Sequence, residues 1–279
     1  MTSETAPENL RTFYADPDLL RDRQQTYAGA GFAGWVLERL DLRKVGDVLD
    51  AGAGVGRFTL PVAQRLADRP ARVVAADLFD GMLRTITRAA VQRGVTVGTL
   101  VADIQALPFP AGRFDLVLAN HVLYHLPDLD RGVRELARVT RPAGVLVATT
   151  NADDIPVAVI DLHRAALDRI GAPAEPAEPS TFSLRNGEAV LRRSFHDVTL
   201  HTFRDQQVFA DAAELVAAYR TTGRFRAAVE KTGADLDGAA SQVAAEWANR
   251  QGGRLTSPIV MGAFVCAGPR PTASSPRPS

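Results

Sequence analysis

The chain of 279 residues is 46% hydrophobic and 23% charged, which is typical of a globular protein with a substantial core. Its 32 Lys and Arg residues balance 32 Asp and Glu residues, so the formal net charge is zero. No basic excess therefore indicates a nucleic-acid partner, whose phosphates such residues would neutralise. The single cysteine, Cys266, excludes an internal disulfide bond and a cysteine metal cluster.

The first ten residues are polar and acidic and lack the apolar core of a signal peptide. No apolar run approaches the roughly 20 residues that are needed to span a bilayer. We therefore expect a soluble cytoplasmic protein with no membrane and no nucleic acid among its partners.

Residues 1–40 are predicted to form an N-terminal helical cap. Asp16-Pro17-Asp18 is a helix start, because an Asp cap is followed by proline at the first helical position. Phe32 to Leu40 has apolar residues at helical spacing and predicts a second helix. If the cap closes over a pocket, its residues Tyr14 and Tyr27 would face the ligand. The alternative is that these two side chains only pack against the rest of the protein.

The stretch from Val48 to Phe58, VLDAGAGVGRF, is an apolar run that ends in an acid and is followed by three alternating glycines. Glycine lets the backbone approach a ligand without interference from a Cβ atom. The dinucleotide fingerprint is G-x-G-x-x-G, but here the third glycine comes one position early and Arg57 stands where that fingerprint needs Gly or Ala. The run therefore argues against a nicotinamide site, and a plain tight turn is the structural alternative.

Beyond this turn, apolar runs alternate with helical patterns, which predicts a parallel sheet covered on both faces by helices. Asp77 ends the second run and lies 21 positions after Gly56, close to the offset at which a carboxylate meets ribose hydroxyls. The predicted strands are 45–51, 72–77, 95–101, 114–119, 145–149, 198–203 and 259–267, and the predicted helices after the glycine turn include 80–93, 128–140, 154–170, 212–221 and 239–249. Residues 41–268 would form one domain, in which residues 151–200 are a variable segment. Residues 269–279 would form a disordered tail.

Four stretches, taken in order, resemble the class I S-adenosylmethionine-dependent methyltransferase family in its small-molecule branch. They cover roughly residues 45–150 and are Asp50 to Gly56 (DAGAGVG); Asp77-Leu78-Phe79 with Gly81-Met82-Leu83; Ala102-Asp103-Ile104 with Leu107-Pro108-Phe109; and Phe114-Asp115 to Tyr124-His125-Leu126, followed by Arg138 to Gly144. The resemblance implies a Rossmann-like, mostly parallel seven-stranded sheet in the order 3-2-1-4-5-7-6.

The resemblance also implies S-adenosylmethionine as the cofactor and assigns its contacts. Gly52 and Gly54 would approach the methionyl part, Asp77 would accept hydrogen bonds from the ribose hydroxyls, and Met82 would edge the adenine. Asp103 and the backbone amide of Ile104 would contact the polar edge of the adenine ring. The full cofactor set that it implies is Asp50, Gly52, Gly54, Gly56, Asp77, Leu78, Met82, Asp103, Ile104 and Asn120.

For catalysis, His121 is the first candidate for a general base because it follows the fourth strand, where a parallel sheet places its ligands. His125 is the second candidate and Tyr14 the third; the alternative is that the acceptor needs no base. The spacing of His121 and His125 is that of helical zinc motifs, but no acid stands between them, so no metal is expected.

The sequence therefore predicts methyl transfer to an O, N or C atom of a small molecule, a natural-product or secondary-metabolite intermediate, by a monomer or homodimer. Two other classes stay open: a nicotinamide-dependent oxidoreductase, and a cofactor-binding protein without a competent acceptor pocket.

Overall fold

The computed structural model describes residues 31–153, 157–173, 180–232 and 235–271, together with Pro17 and Leu20. The predicted first cap helix, Tyr14, Tyr27 and the tail from residue 272 lie outside the described residues. The second cap helix is present as α1, Phe32–Leu37, whose buried face packs against the core.

Seven strands form one sheet in the order β3-β2-β1-β4-β5-β7-β6, which confirms the predicted order. The strands are β1 Asp47–Ala51, β2 Arg72–Asp77, β3 Gly98–Val101, β4 Phe114–Asn120, β5 Thr140–Asn151, β6 Phe195–Phe209 and β7 Leu255–Pro269. The first five are parallel, while β7 pairs antiparallel with both β5 and β6. The sheet is therefore mostly parallel, with two antiparallel strands at one edge.

Helices cover both faces of this sheet. Those that follow α1 in the described residues are α2 Thr59–Arg65, α3 Asp80–Gln92, α4 Leu129–Val139, α5 Ala158–Arg169, α6 Gly187–Leu191, α7 Ala212–Arg220, α8 Gly223–Thr232 and α9 Leu236–Arg250. Pro61 lies in the first turn of α2, where its missing N–H costs nothing. None of the helices in the described ranges is long and apolar enough to cross a membrane.

The fifth strand begins five residues earlier than predicted. Thr140 already pairs with Phe114, and the register then shifts so that Val145 pairs with Leu116. Gly144 lies inside this irregular segment, where a Cβ atom would come within 2.9 Å of the carbonyl oxygen of Phe114. The proline and glycine of residues 141–144 therefore mark a bulge in a strand rather than a gap before one.

The last two strands are much longer than their predicted cores. Asn151, the last residue of β5, pairs with Met261, and β6 and β7 continue as a two-stranded ribbon from Met261 to the pair Phe209–Leu255. The ribbon therefore extends beyond the carboxyl edge of the sheet. Polar residues alternate along β6, so its ends carry little hydrophobic signal in the sequence.

A second apolar cluster forms on this ribbon, separate from the cores on the two sheet faces. It includes Leu162 of α5, Tyr219 of α7 and Val243 of α9, together with Phe209 and Leu255 from the ribbon itself. The buried hydroxyl of Tyr219 lies 2.8 Å from Nδ1 of His163, so its polar atom is satisfied inside this cluster. The segment after β5 is thus a helical layer at the carboxyl edge of the sheet.

Candidate cofactor and acceptor site

A cavity of about 320 Å³ lies at the carboxyl edge of the parallel strands. Its walls come from the segments that follow β1, β2, β3, β4 and β5, and from Met261 of β7. Open α/β sheets bind ligands at this edge, next to the point where the strand order reverses. That point lies between β1 and β4 in this sheet.

The glycine-rich turn after β1 forms one wall of the cavity. Gly52 and Gly54 have φ angles of +75° and +54°, a left-handed conformation that side chains rarely adopt. A Cβ atom on Gly52 would lie 2.5 Å from a methyl carbon of Val122, so glycine is needed for space as well as for conformation. The turn therefore brings backbone directly to the cavity, as the sequence predicted.

Gly56 also has a positive φ angle, of +84°, but it is not among the residues that line the cavity. A Cβ atom there would come within 2.9 Å of the Ile86 side chain and 3.2 Å of Leu60. This glycine allows α2 to pack closely against α3. Gly56 thus lies in the packing between α2 and α3, and its predicted contact with the cofactor stays a prediction.

Asp77 ends β2 and is the acid that connects the glycine turn to the second strand. Its Oδ2 accepts a hydrogen bond of 2.8 Å from the N–H of Gly54, and its Oδ1 accepts one of 2.9 Å from the N–H of Phe79. Burial raises the pKa of Asp77, although these backbone donors act to lower it. Each oxygen keeps a further lone pair, so the carboxylate can accept two more hydrogen bonds from a ligand diol.

The neighbouring wall carries the other residues that were predicted for the nucleoside. Asp103 follows β3 and caps the short 3₁₀ helix Ile104–Ala106, with its Oδ1 accepting a 2.9 Å hydrogen bond from the N–H of Gln105. Burial acts to raise its pKa, but hydrogen bonds and charge, with those from Gln105 among them, together lower the pKa of Asp103. Leu78, Met82 and Ile104 line the same part of the cavity, and the last two are buried.

Asp50 and Asn120 form the floor, at the ends of β1 and β4. Oδ2 of Asp50 accepts a hydrogen bond of 2.6 Å from the Thr59 hydroxyl, while its Oδ1 is buried without a partner. Both side-chain polar atoms of Asn120 are also buried without a partner. Burial, with a smaller contribution from the charge of Asp77, raises the pKa of Asp50 to about 7. Unsatisfied buried polar atoms are rare in folded proteins, so this floor fits a polar ligand.

His121 lies next to Asn120, with a φ angle of +52°, and its backbone N–H donates to the carbonyl of Thr149. A left-handed conformation is strained for a residue other than glycine, and such strain concentrates at functional sites. Nε2 of His121 is buried without a hydrogen-bond partner, and the ring packs 5.6 Å from that of Phe32 in α1.

The pKa of His121 falls to about 3, first because of burial and then because of the nearby charges of Arg57 and His125. The imidazole is therefore neutral at pH 7, but it is a much weaker base than an exposed histidine. A low pKa favours the alternative in which the acceptor needs no base, while the general-base role of His121 stays a prediction.

His125 also lines the cavity, from the 3₁₀ helix Leu123–His125. Its ring lies 4.4 Å from that of Tyr124. Because His121 precedes this short turn, the spacing of the two histidines does not lie on one α-helix and does not form a zinc-binding helix face. Tyr14, the third catalytic candidate, lies outside the described residues.

Sequence reasoning did not assign several residues that line the cavity. Met261 arrives from β7, more than a hundred residues away in the chain, and no local pattern could have indicated it. Arg57 was visible only as a departure from the dinucleotide fingerprint, yet it lines the cavity and its charge acts to lower the pKa of His121.

The sheet order and the cavity define the class I methyltransferase fold, whose cofactor is S-adenosylmethionine. Residues 49–148 match the family model described as a methyltransferase domain. This match supports the resemblance to class I S-adenosylmethionine-dependent methyltransferases that the four sequence stretches indicated.

Two curated relatives and one solved structure illustrate the match. A malonyl-[acyl-carrier protein] O-methyltransferase from Methylovorus sp. (strain MP688) is 36% identical over 126 residues, which cover 43% of this chain and 42% of that protein. Methyltransferase GfsG from Streptomyces halstedii is 31% identical over 172 residues, covering 57% of this chain and 61% of GfsG. The solved structure is the [4+2]-cyclase SpnF, with a TM-score of 0.56 and 16% identity over 94% of this chain and 98% of that one.

The family model covers residues 49–148, and the curated relatives likewise match only part of the chain. The matched segments span less than two thirds of either curated relative, so the shared region is the methyltransferase domain rather than the whole protein. The likeness to SpnF, at 16% identity, shows the fold alone.

Proposed function

We propose that the protein transfers a methyl group from S-adenosylmethionine to an O, N or C atom of a small molecule. The observation that carries this proposal is the junction of Gly54 and Asp77, which presents a carboxylate with two free lone pairs at the cavity wall. A carboxylate in this position suits a ribose diol.

The residues of the cavity fit the cofactor in three places. Asp77 would hold the ribose, Asp103 and the segment at Ile104 would meet the adenine, and the turn at Gly52 would lie along the methionyl chain. The unpartnered atoms of Asp50 and Asn120 offer an acceptor and a donor for the polar end of that chain. When bound, the cofactor supplies an activated methyl group on a positively charged sulfur atom.

The protein then has to hold the acceptor in line with that methyl group and exclude water, which can contribute ~7–11 kcal/mol of the barrier. The side of the cavity toward β4 and β5 is suited to this role, because the rings of His121 and Phe32 pack there and Met261 closes it. His121 would shape this surface and offer a neutral hydrogen-bonding nitrogen, while His125 remains the second candidate for contact with the acceptor.

A small-molecule acceptor, for which we propose a natural-product intermediate, is supported by the cavity of about 320 Å³ and by the name of one relative, a demethylmenaquinone methyltransferase from Corynebacterium urealyticum. The balanced net charge also gives no electrostatic attraction for nucleic acid. We extend the same proposal to a cytoplasmic protein that acts as a monomer or homodimer.

Calorimetric titration with S-adenosylmethionine, S-adenosylhomocysteine and NAD tests the cofactor. We expect binding of the first two and none of NAD, because Arg57 replaces the small residue that a dinucleotide turn requires. Incubation with methyl-labelled S-adenosylmethionine and a library of small acids, phenols, amines and heteroaromatics then tests the reaction. Tight NAD binding without S-adenosylmethionine binding would contradict the proposal, and so would cofactor binding without labelled product from any acceptor class.

A further inference from the structure

Gln105 lies in the wall of the cavity between the nucleoside side and the turn that follows β4. Its side chain is buried, and it belongs to the 3₁₀ helix Ile104–Ala106 that Asp103 caps. The turn after β4 brings the cavity-lining residues 124–127 to Asp128, the residue that caps α4. Gln105 is therefore a buried polar side chain that is in place to act on two walls of the cavity.

Both ends of the Gln105 carboxamide are hydrogen-bonded, and each end contacts a different wall. Nε2 donates to Oδ1 and Oδ2 of Asp103 over 3.2 and 3.3 Å, and the backbone N–H of Gln105 donates a bond of 2.9 Å to Oδ1. Oε1 accepts a hydrogen bond of 2.9 Å from the backbone N–H of Asp128. The side chain thus joins the carboxylate that follows β3 to the N-cap residue of α4.

The chemistry of these two neighbours leaves one orientation for the carboxamide. The backbone N–H of Asp128 can only donate, so it needs an acceptor. Asp103, whose pKa is lowered, is an ionised carboxylate at neutral pH and needs a donor. A carboxamide supplies an oxygen to the first and an N–H group to the second. An apolar, carboxylate or ammonium side chain cannot serve both neighbours, because it lacks at least one of the two groups.

The backbone of Gln105 is also held against α4. Nε of Arg131 donates a hydrogen bond of 2.8 Å to the carbonyl oxygen of Gln105. Gly132 allows α4 to pack closely here, because a Cβ atom would clash with Leu126 and lie 3.7 Å from the Ile104 side chain. The Gln105 side chain therefore extends from a segment that packing fixes in place. Because Arg131 bonds the backbone of Gln105 rather than its side chain, it offers a control for the support of this segment.

We propose that Gln105 is a positioning residue for base recognition, which holds the carboxylate of Asp103 where it accepts a hydrogen bond from the exocyclic amine of adenine. This inference rests on the proposed methyltransferase function and specifies how the same site selects its nucleoside. An ionised carboxylate suits an amine, because it accepts hydrogen bonds and donates none. The bond from Gln105 to Asp128 couples this contact to the turn after β4.

S-adenosylhomocysteine and its 6-deamino analogue, in which hydrogen replaces the exocyclic amine, are a matched pair of probes. The analogue keeps the ring nitrogens, the ribose and the homocysteine, so it lacks only the donor that Asp103 would bind. Hydrogen bonds to charged groups are among the stronger ones in proteins. We therefore expect the wild type to bind S-adenosylhomocysteine at least about tenfold more tightly than the analogue in calorimetric titrations.

Two variants remove the side-chain N–H groups that Gln105 offers to Asp103. Gln105→Met has a similar length but cannot donate a hydrogen bond. Gln105→Glu, at about pH 8, keeps an oxygen for the N–H of Asp128 but has no donor for Asp103. We expect both variants to reduce the preference for the amine to less than about threefold. Arg131→Met is the matched control and should keep the preference of the wild type, even if thermal unfolding shows a lower stability.

A double-mutant cycle with Asp103→Ala tests whether Gln105 acts through Asp103. In the wild-type background, Gln105→Met should weaken binding of S-adenosylhomocysteine by at least about fivefold, whereas in the Asp103→Ala background the further loss should be less than about twofold. Additive losses, a full preference in Gln105→Glu, an equal loss of preference in Arg131→Met, or no preference in the wild type would overturn the inference. Failure of the wild type to bind S-adenosylhomocysteine would instead contradict the proposed function itself.

Discussion

The backbone N–H of Gly54 donates a hydrogen bond of 2.8 Å to Oδ2 of Asp77 and so joins the turn after β1 to the end of β2. The two residues are 23 positions apart in the chain. The bond orients the carboxylate toward the cavity and holds the glycine turn in the conformation that approaches it. One acid thus has two roles, since it supports the loop and faces the ligand.

Replacement of Asp77 should weaken cofactor binding. Hydrogen bonds to a charged group contribute ~1.5–3 kcal/mol each, so we expect Asp77→Ala to raise the dissociation constant of S-adenosylhomocysteine by at least tenfold. Isothermal titration calorimetry measures this directly. Asp130→Asn, which changes an exposed acid paired with Arg193, is the matched control and should bind normally. An unchanged constant for Asp77→Ala would mean that the residue only supports the turn.

Gly52→Ala should destabilise the protein more than Gly94→Ala does. Both glycines have a positive φ angle, +75° and +64°, but a Cβ atom on Gly52 meets Val122 whereas one on Gly94 meets nothing within 4 Å. We expect a loss of ~1 kcal/mol for Gly94→Ala from the backbone alone, and a further ~1–3 kcal/mol for Gly52→Ala from overpacking.

Urea unfolding measures both free energies, and Val122→Ala added to Gly52→Ala should restore part of the difference. Cofactor affinity should fall only in the Gly52 variant, because Gly94 lies at the end of α3, away from the cavity. Equal losses of stability in Gly52→Ala and Gly94→Ala would contradict the predicted clash between the new Cβ atom and Val122.

Asp50 should make the free energy of unfolding depend on pH. Its pKa is raised from 3.8 to about 7 in the folded protein, so the folded state holds the proton more tightly than the unfolded state. The stabilisation from this group is therefore present below pH 4 and is lost as the pH rises from about 4 to about 7, at ~1.4 kcal/mol per pH unit. Asp50→Asn cannot ionise, so its stability relative to the wild type should rise over that interval. Parallel stability curves for the two proteins would disprove the raised pKa.

His121→Gln should leave the shape of the pH–rate profile unchanged between pH 6 and pH 8.5. With a pKa of about 3, in the presence of the charges of Arg57 and His125, the imidazole does not change protonation in that interval. We expect kcat to fall by less than about tenfold, rather than the ~10²–10⁴ that removal of a general base costs. Steady-state kinetics with an acceptor from the library screen measure both quantities.

His125→Gln is the control for this experiment, because His125 lines the same cavity from the turn that follows. The pH–rate profile of the wild type could change slope near neutral pH. If that change is lost in His121→Gln and kept in His125→Gln, then His121 is the general base.

The sequence by itself determined the sheet, its order through the family resemblance, and the turn at Gly52 and Gly54. These features are local: the apolar runs, the acids that end them and the glycines are all visible within windows of about ten residues. The offset between the glycine run and Asp77 is also set by the length of one helix and one strand. Physical rules that act over one strand–helix unit are therefore enough to predict this half of the protein.

The tertiary structure decided the surroundings of Gly56, Met261 and His121. Gly56 lies in the same motif as its neighbours, but it packs α2 against α3 because Ile86 lies opposite it. Met261 reaches the cavity through pairing of β7 with β5. The loss of basicity at His121 comes from burial beside Phe32 and the charge of Arg57, neither of which is encoded near His121. Burial and charge at a site depend on which distant elements surround it, and this information exists only once the chain has folded.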